Sequence, residues 1–175
     1  MSLDATIGGP NSDSYGTEAE ATTYHTSMGN ASWTGTTGEL EAALRRAAVW
    51  LDGAYRDRWP GSRLNGRNQS RDWPRVGAQD IEGFDISSTT IPSEVVKAQF
   101  EAALIELVSP GTLSPTLTKS QIVKSEKVGP ISVEYAVSES SVMEAAFPVV
   151  GVVERLLSGI VTDGSEDEYP AAIVL

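Results

Sequence analysis

The chain has 175 residues, no cysteine and a formal net charge of −11 at neutral pH. This length suits one domain with its own core, and the lack of cysteine excludes disulfides and thiolate metal sites. No apolar run approaches the ~20 residues of a membrane span, and the N-terminus does not have the pattern of a signal peptide. An acidic chain repels phosphate backbones, which argues against general coating of nucleic acid.

The N-terminal part of the sequence predicts an arm followed by a helix. Residues 1–13 are rich in Gly, Ser, Asp and Asn, and we expect this arm to be ordered only where a partner holds it. A first helix is predicted from Thr17 to Met28. Thr17 and Glu20 have the spacing of a capping box, and Gly29 is a helix stop.

The longest periodic stretch, Gly38–Trp59, predicts a central helix. Its apolar residues recur every three or four positions, and Pro60 and Gly61 then end the pattern. The following segment has Gly or Pro every few residues, which is typical of a long structured loop. A third helix is predicted over Ser93–Val108, because Pro92 suits a helix start and the apolar periodicity resumes.

The C-terminal part changes character. Residues 119–137 alternate apolar and polar side chains around a Gly-Pro pair, which predicts two strands joined by a turn. A last helix is predicted from about 147 to 160. The fold class is therefore mainly α: a small bundle of three to four helices with one projecting antiparallel β-hairpin and extended termini. The predicted organisation is an arm at 1–13, one domain at 14–161 and a docking tail at 162–175.

The sequence gives little sign of catalysis. His25 is the only histidine, no nucleophile turn or phosphate-binding loop occurs, and we interpret His25 as a surface or capping residue. Asp80, Glu82 and Asp85 form an acidic cluster without the ligand order of a calcium loop, so we interpret them as a solvated turn. We therefore expect no enzyme activity, no cofactor and no metal site.

The arginine segment, Arg56–Arg75, is the most unusual stretch. It holds six arginines against two aspartates, a local charge of +4, with tryptophans interleaved. It could bind nucleic acid by phosphate contact and base stacking, form a protein interface, or be a solvated loop pinned by local salt bridges. The overall negative charge favours a protein interface over nucleic acid. The candidate interface residues in this segment are Arg63, Arg67, Arg71, Trp73 and Arg75.

The tail supplies further candidates. Its first half is acidic, and its end is apolar and needs a surface to lie against. The β-branched residues suit an added strand on the sheet edge of a partner. The candidate interface residues in the tail are Tyr169, Ile173, Val174 and Leu175.

The motifs, taken in order, resemble one protein family. They read A-L-R-R-A, W-L-D, Y-R-D-R-W-P-G-S-R, D-W-P-R-V-G, D-I-E-G, I-P-S-E-V-V-K-A-Q-F-E-A-A and K-S-E-K-V-G-P-I-S-V-E-Y. This order resembles the head–tail connector, or neck adaptor, proteins of tailed bacteriophages, some relatives of which carry a DnaT-like single-stranded-DNA-binding label. The resemblance covers about Tyr15 to Leu157, and W-P-R-x-G and I-P-x-x-V are its most specific parts.

The resemblance implies a structural virion protein rather than an enzyme. Such adaptors form a homo-oligomeric ring, commonly of twelve copies, that joins the portal to the stopper or tail-terminator protein. They lie in the virion neck after synthesis in the host cytoplasm, contact no membrane, and surround DNA that passes without sequence-specific binding. The arginine segment and the tail would then contact a neighbouring subunit or the portal. The alternative is a single-stranded-DNA-binding accessory protein, which predicts a net basic groove that the chain lacks outside the arginine segment.

Overall fold

The computed structural model describes residues 2–115, the backbone of residues 125–128 and 131–134, and residues 149–162. Within these residues the fold is mainly α, as predicted. The helices are α1 (Glu18–Met28), α2 (Thr37–Tyr55), α3 (Ser93–Val108) and α4 (Gly151–Leu157). The strands are β1 (Ser62–Arg63), β2 (Arg75–Val76), β3 (Ser125–Val128) and β4 (Ile131–Glu134), and 3-10 turns cover Arg56–Arg58 and Gly66–Asn68.

Local capping signals set the starts of the first two helices. In α1 the Thr17 hydroxyl accepts a hydrogen bond from the Glu20 amide at 3.3 Å, and the Glu20 carboxylate accepts one from the Thr17 amide at 2.7 Å. Thr36 and Glu39 form the same reciprocal pair at the start of α2. Each pair satisfies amide groups that have no partner inside the helix, which fixes where the helix begins.

The central helix ends earlier than predicted. The sequence pattern extends it to Trp59, but α2 ends at Tyr55 and continues as a 3-10 turn over Arg56–Arg58. Trp59 has an extended backbone, with φ −73° and ψ 130°. This is the conformation that a following proline favours, so Pro60 acts on the residue before it and stops the helix sooner.

The core lies between α2, α3 and α4. α3 has the predicted bounds and packs against both α2 and α4. None of the described helices is both long and apolar enough to cross a membrane. Fully buried aliphatic side chains come from each of these three helices and from the segment after α3: Leu44, Leu51, Val95, Leu113, Val153 and Leu157.

The C-terminal elements agree in type with the prediction. β3 and β4 pair antiparallel, with Ser125 opposite Glu134 and Val128 opposite Ile131. The last helix starts at Gly151, inside the predicted range 147–160, because Val150 has an extended backbone and helical geometry begins only after it. Residues 163–175, and with them the candidate residues of the tail, lie outside the described part of the chain.

The arm is held by contacts within the chain, whereas its composition predicts that it is ordered only where a partner holds it. The Asp13 carboxylate lies 2.6 Å from Nε of Arg45 on α2. Further along the arm, the carbonyls of Gly8 and Gly9 accept hydrogen bonds from the side chain of Asn65 and the amide of Ser70. The arm therefore bridges the central helix and the arginine segment.

His25 is buried, so its interpretation as a surface or capping residue is wrong. Its ring stacks on Trp33 with centroids 4.5 Å apart. Nε2 lies 3.1 Å from the backbone carbonyl oxygen of Phe100, and Nδ1 lies 3.0 Å from Nδ2 of the Asn30 side chain. Nε2 therefore donates to the carbonyl and Nδ1 accepts, which is the pattern of a neutral imidazole. Burial lowers the pKa of His25, in keeping with a structural role.

Candidate functional site: the arginine segment and the turn that follows it

Two Trp-Pro motifs meet in the arginine segment. Trp59-Pro60 precedes β1 and Trp73-Pro74 precedes β2, and the two strands pair antiparallel with Ser62 opposite Val76. The rings of Trp59 and Trp73 lie edge to face, with centroids 5.7 Å apart. We call β1, β2 and their connection, Ser62–Val76, the ribbon. The motifs that carry the resemblance are therefore structural partners of each other.

Arg75, on β2, connects this strand to the residues just before β1. Its Nε and Nη2 each donate to a backbone carbonyl, of Pro60 and of Gly61, at 2.6 Å. Gly61 has a φ of +65°, and a Cβ there would lie 2.4 Å from the carbonyl oxygen of Val76, so only glycine fits this close approach. Burial lowers the pKa of Arg75. This arginine is a buried structural residue and is not offered to a partner.

Two buried carboxylates lie beneath the ribbon. Asp52 on α2 accepts a hydrogen bond from the hydroxyl of Tyr15, and the amide of Asp72 donates to that same hydroxyl at 3.0 Å. Burial is the largest cause that raises the pKa of Asp52 to about 6; the Tyr15 hydroxyl and Arg71 oppose it. Burial and the two carboxylates raise the pKa of Tyr15 well above its ordinary value. This cluster connects the segment between the arm and α1 to the central helix and the ribbon.

Three arginines surround these carboxylates. Arg56 and Arg63 place Nε 3.4 and 3.5 Å from the two carboxylate oxygens of Asp72. Nη1 of Arg71 lies 3.1 Å from Asp52 Oδ2, an ion pair without the alignment of a hydrogen bond. Much of the positive charge of the segment is therefore matched inside the monomer.

The tryptophans of the segment are core residues. Trp73 has an exposed fraction of 0%, and Trp59 and Trp50 are also buried. The sequence-based expectation that Trp73 anchors a partner does not agree with this burial. A base that stacks on an aromatic needs an exposed ring face, and neither tryptophan of the ribbon region offers one.

Arg67 is placed differently from the other candidates. It lies in the 3-10 turn that closes the ribbon, its side chain is exposed, and the described contacts include no hydrogen bond or ion pair of its guanidinium. Buried Gln69 shapes this turn by donating to the carbonyls of Arg71 and Pro74 at 2.9 and 3.0 Å. Leu64 is exposed beside it, and Ile7 of the arm is exposed next to the Gly8–Asn65 hydrogen bond. We call Ile7, Leu64 and Arg67 the tip patch.

A second exposed feature follows β2. The sequence analysis identified its acidic residues but not the exposed apolar residues between them. Residues 79–86, which we call the acidic knob, form a closed turn that exposes Ile81 by 71% and Phe84 by 66%. Oδ1 of Asp80 accepts from the amides of Glu82 and Phe84 at 3.0 and 2.9 Å, and the Ile81 amide donates to the carbonyl of Gly159. These bonds confirm the predicted turn and hold its apolar side chains outward.

Among the residues that the structure describes, no group of three His, Asp or Glu side chains could hold an ion. The structure instead brings together Arg63, Arg71 and Arg75 around buried partners and leaves Arg67 apart from them. Sequence reasoning missed Tyr15, Asp52 and Gln69. The sequence gives a signal for Asp52 alone, because W-L-D places its carboxylate beside the apolar face of the central helix.

Comparison with known proteins places the chain in a family. A family model described as "Putative DnaT-like ssDNA binding protein" matches residues 1–174. No significant match was found among curated proteins or among solved structures. Because the family model spans nearly the whole chain, including both Trp-Pro motifs and the acidic knob, the chain belongs to this DnaT-like ssDNA-binding protein family.

Proposed function

We propose that the chain is a structural adaptor of the neck of a tailed bacteriophage, a ring-forming protein that joins the portal to the stopper or tail terminator. The order of motifs gives this proposal its detail, namely a ring of about twelve copies around a DNA channel, in keeping with closed homo-oligomeric symmetry. The proposed role is assembly in the virion after synthesis in the host cytoplasm, with no catalytic step.

The observation that carries the proposal is which side chains of the arginine segment and the acidic knob are buried or paired and which are exposed. Three of the six arginines in the segment pair with Asp52 or Asp72, Arg58 pairs with Glu154, and Arg75 bonds backbone carbonyls. The tryptophans that could stack on bases are buried. Among the residues that the structure describes, the exposed aromatic side chain is Phe84, and three carboxylates flank it. Acidic flanks repel nucleic acid, whereas an exposed aromatic on a rigid turn suits a protein partner.

Single-stranded DNA binding is the second candidate, and the family description favours it over the adaptor. Within the arginine segment the structure offers it two exposed cations, Arg67 and Arg56, the latter with 57% of its side chain exposed. Phosphate contacts through these residues would give an affinity that falls steeply with salt. We rank this candidate second because most of the other arginines are engaged within the monomer.

The two candidates can be separated with the purified protein. We would measure its mass alone and after mixing with portal-bearing heads, and measure binding to an oligothymidine at low and at physiological salt. The adaptor proposal predicts a defined oligomer, saturable docking on heads, and weak DNA binding that physiological salt abolishes. A monomer that fails to dock on heads but binds oligothymidine tightly at physiological salt would establish the second candidate instead.

A further inference from the structure

The two exposed patches lie at opposite ends of the ribbon. The acidic knob follows β2 at the open end, where Val76 pairs with Ser62. The tip patch lies at the closed end, where the Gly66–Asn68 turn connects the strands. Opposite placement matters, because one end of a copy can then meet the other end of the next copy, and repetition of that contact gives head-to-tail order.

The two patches also differ in charge. The acidic knob contains two aspartates and one glutamate, a charge of −3. The ribbon contains four arginines and one aspartate, a charge of +3, and Arg67 is its most freely exposed cation. Because Arg63, Arg71 and Arg75 have partners within the monomer, Arg67 is the cation with which the ribbon could receive an acidic knob from a second copy.

Each patch combines its charge with exposed apolar surface. The acidic knob presents Ile81 and Phe84, and the tip patch presents Ile7 and Leu64. The hydrogen bonds of Asp80 fix the knob before any contact forms, so docking would cost little ordering entropy. An aromatic anchor surrounded by charges is the usual composition of a protein contact that persists.

We infer that the acidic knob of one copy docks on the tip patch of a second copy of this chain. The inference rests on the proposed ring-forming function and identifies the contact between neighbouring subunits. Phe84 and Ile81 cover Leu64 and Ile7, and the carboxylate of Glu82 pairs with the guanidinium of Arg67. Charged pairs of this kind favour the correct register and penalise a contact between like patches.

A charge exchange tests the inference on the full chain. Arg67→Glu and Glu82→Arg, made singly, place like charges in the contact, and each should raise the concentration at which the oligomer forms by about tenfold or more. The double variant restores opposite charges and should return that concentration to within about threefold of the wild type. Phe84→Ser should also weaken assembly. Lys97→Glu, the same charge reversal at an exposed site outside both patches, should leave it unchanged.

Sedimentation velocity over a concentration series gives the readout, and circular dichroism shows that each variant is folded. A wild type that stays monomeric, single variants that assemble normally, or a double variant no better than the single ones would overturn the inference. Docking on portal-bearing heads is measured in parallel. If charge-reversed variants assemble and dock normally, this contact is wrong and the adaptor proposal stands, whereas a wild type that does not dock overturns the adaptor proposal itself.

Discussion

Gln99 holds residues 14–16, which connect the arm to α1, onto the helical core, and replacing it with leucine should loosen this connection. The side chain of Gln99 on α3 has no exposed surface. Its Oε1 accepts from the amides of Tyr15 and Gly16 at 2.9 and 3.3 Å, and its Nε2 donates to Ser14 Oγ at 2.7 Å. The same Nε2 donates to the carbonyl of Leu44 at 2.9 Å, so the amide joins residues 14–16 to both α2 and α3.

Leucine has a similar size but can make none of these bonds. Gln99→Leu leaves two buried amides, of Tyr15 and Gly16, without an acceptor, and each such group costs about 1–3 kcal/mol. Because one of the two bonds is long, we expect a total loss of about 2–4 kcal/mol in the free energy of unfolding. With a urea m-value of about 1–3 kcal/mol per molar, the midpoint should fall by roughly 1–2 M.

Urea unfolding followed by tryptophan fluorescence measures the loss, and hydrogen exchange at the Tyr15 and Gly16 amides locates it. Gln79→Leu is the control, because it makes the same chemical change at an exposed glutamine and should change stability by less than about 0.5 kcal/mol. A loss below about 1 kcal/mol for Gln99→Leu, or unchanged exchange at both amides, would refute the reasoning.

Two further predictions concern buried carboxylates. Glu106 accepts hydrogen bonds from Arg46 and from the amides of Gly111 and Leu113, and its pKa is lowered despite burial. Its stabilising effect is therefore present above its unfolded pKa of about 4.5 and is lost as the pH falls through the folded value. Glu106→Gln should lower the free energy of unfolding by about 2 kcal/mol at pH 7. It should also make the free energy of unfolding less dependent on pH in the acid range. Asp52 has a raised pKa of about 6, so its ionisation disfavours the folded state above that pH. The stability of the wild type relative to Asp52→Asn should rise as the pH falls from about 6 to about 4, and no change in that difference would contradict the assignment.

The sequence predicts those features of the fold that depend on residues close together along the chain. The bounds of α3 and the start of α1 follow from a proline, a capping box and apolar periodicity, and the structure confirms them. The arginine segment shows why spacing alone is insufficient. Arg63, Arg67, Arg71 and Arg75 are four residues apart, which would align them on a helix. In the structure two of them lie on strands, Arg67 lies in a 3-10 turn and Arg71 lies in the loop before β2.

The polar core depends on contacts that no local pattern encodes. Tyr15 meets Asp52 across 37 residues, and Gln99 meets Tyr15 across 84. Gln99 and Glu106 lie on the buried face of α3, although the apolar periodicity of the sequence predicts that neighbouring positions of the helix are the buried ones. Such residues are satisfied by partners from residues 14–16, from α2 and from the segment after α3. A pattern of hydrophobic positions cannot find them, because their burial is stable only once these partners are in place.

Asp72 decides how much of the positive charge of the arginine segment reaches solvent. Its buried carboxylate lies within 3.5 Å of Nε of both Arg56 and Arg63, whose side chains are partly exposed and can turn outward. Asp72→Asn should release them and raise the local charge of the segment from +4 to +5. Affinity for an oligothymidine at low salt should then increase, and its logarithmic salt dependence should steepen by about 0.7 for each phosphate newly engaged.

The matched control for Asp72→Asn is Asp57→Asn. It makes the same change in net charge within the same segment, but Asp57 is exposed and belongs to none of the described ion pairs. A gain in DNA binding with Asp72→Asn alone would show that the wild-type monomer masks its arginines. An equal gain with both variants would mean that net charge, and not pairing, limits binding. A wild type that already binds as tightly as Asp72→Asn would contradict masking outright and move single-stranded DNA binding ahead of the adaptor role.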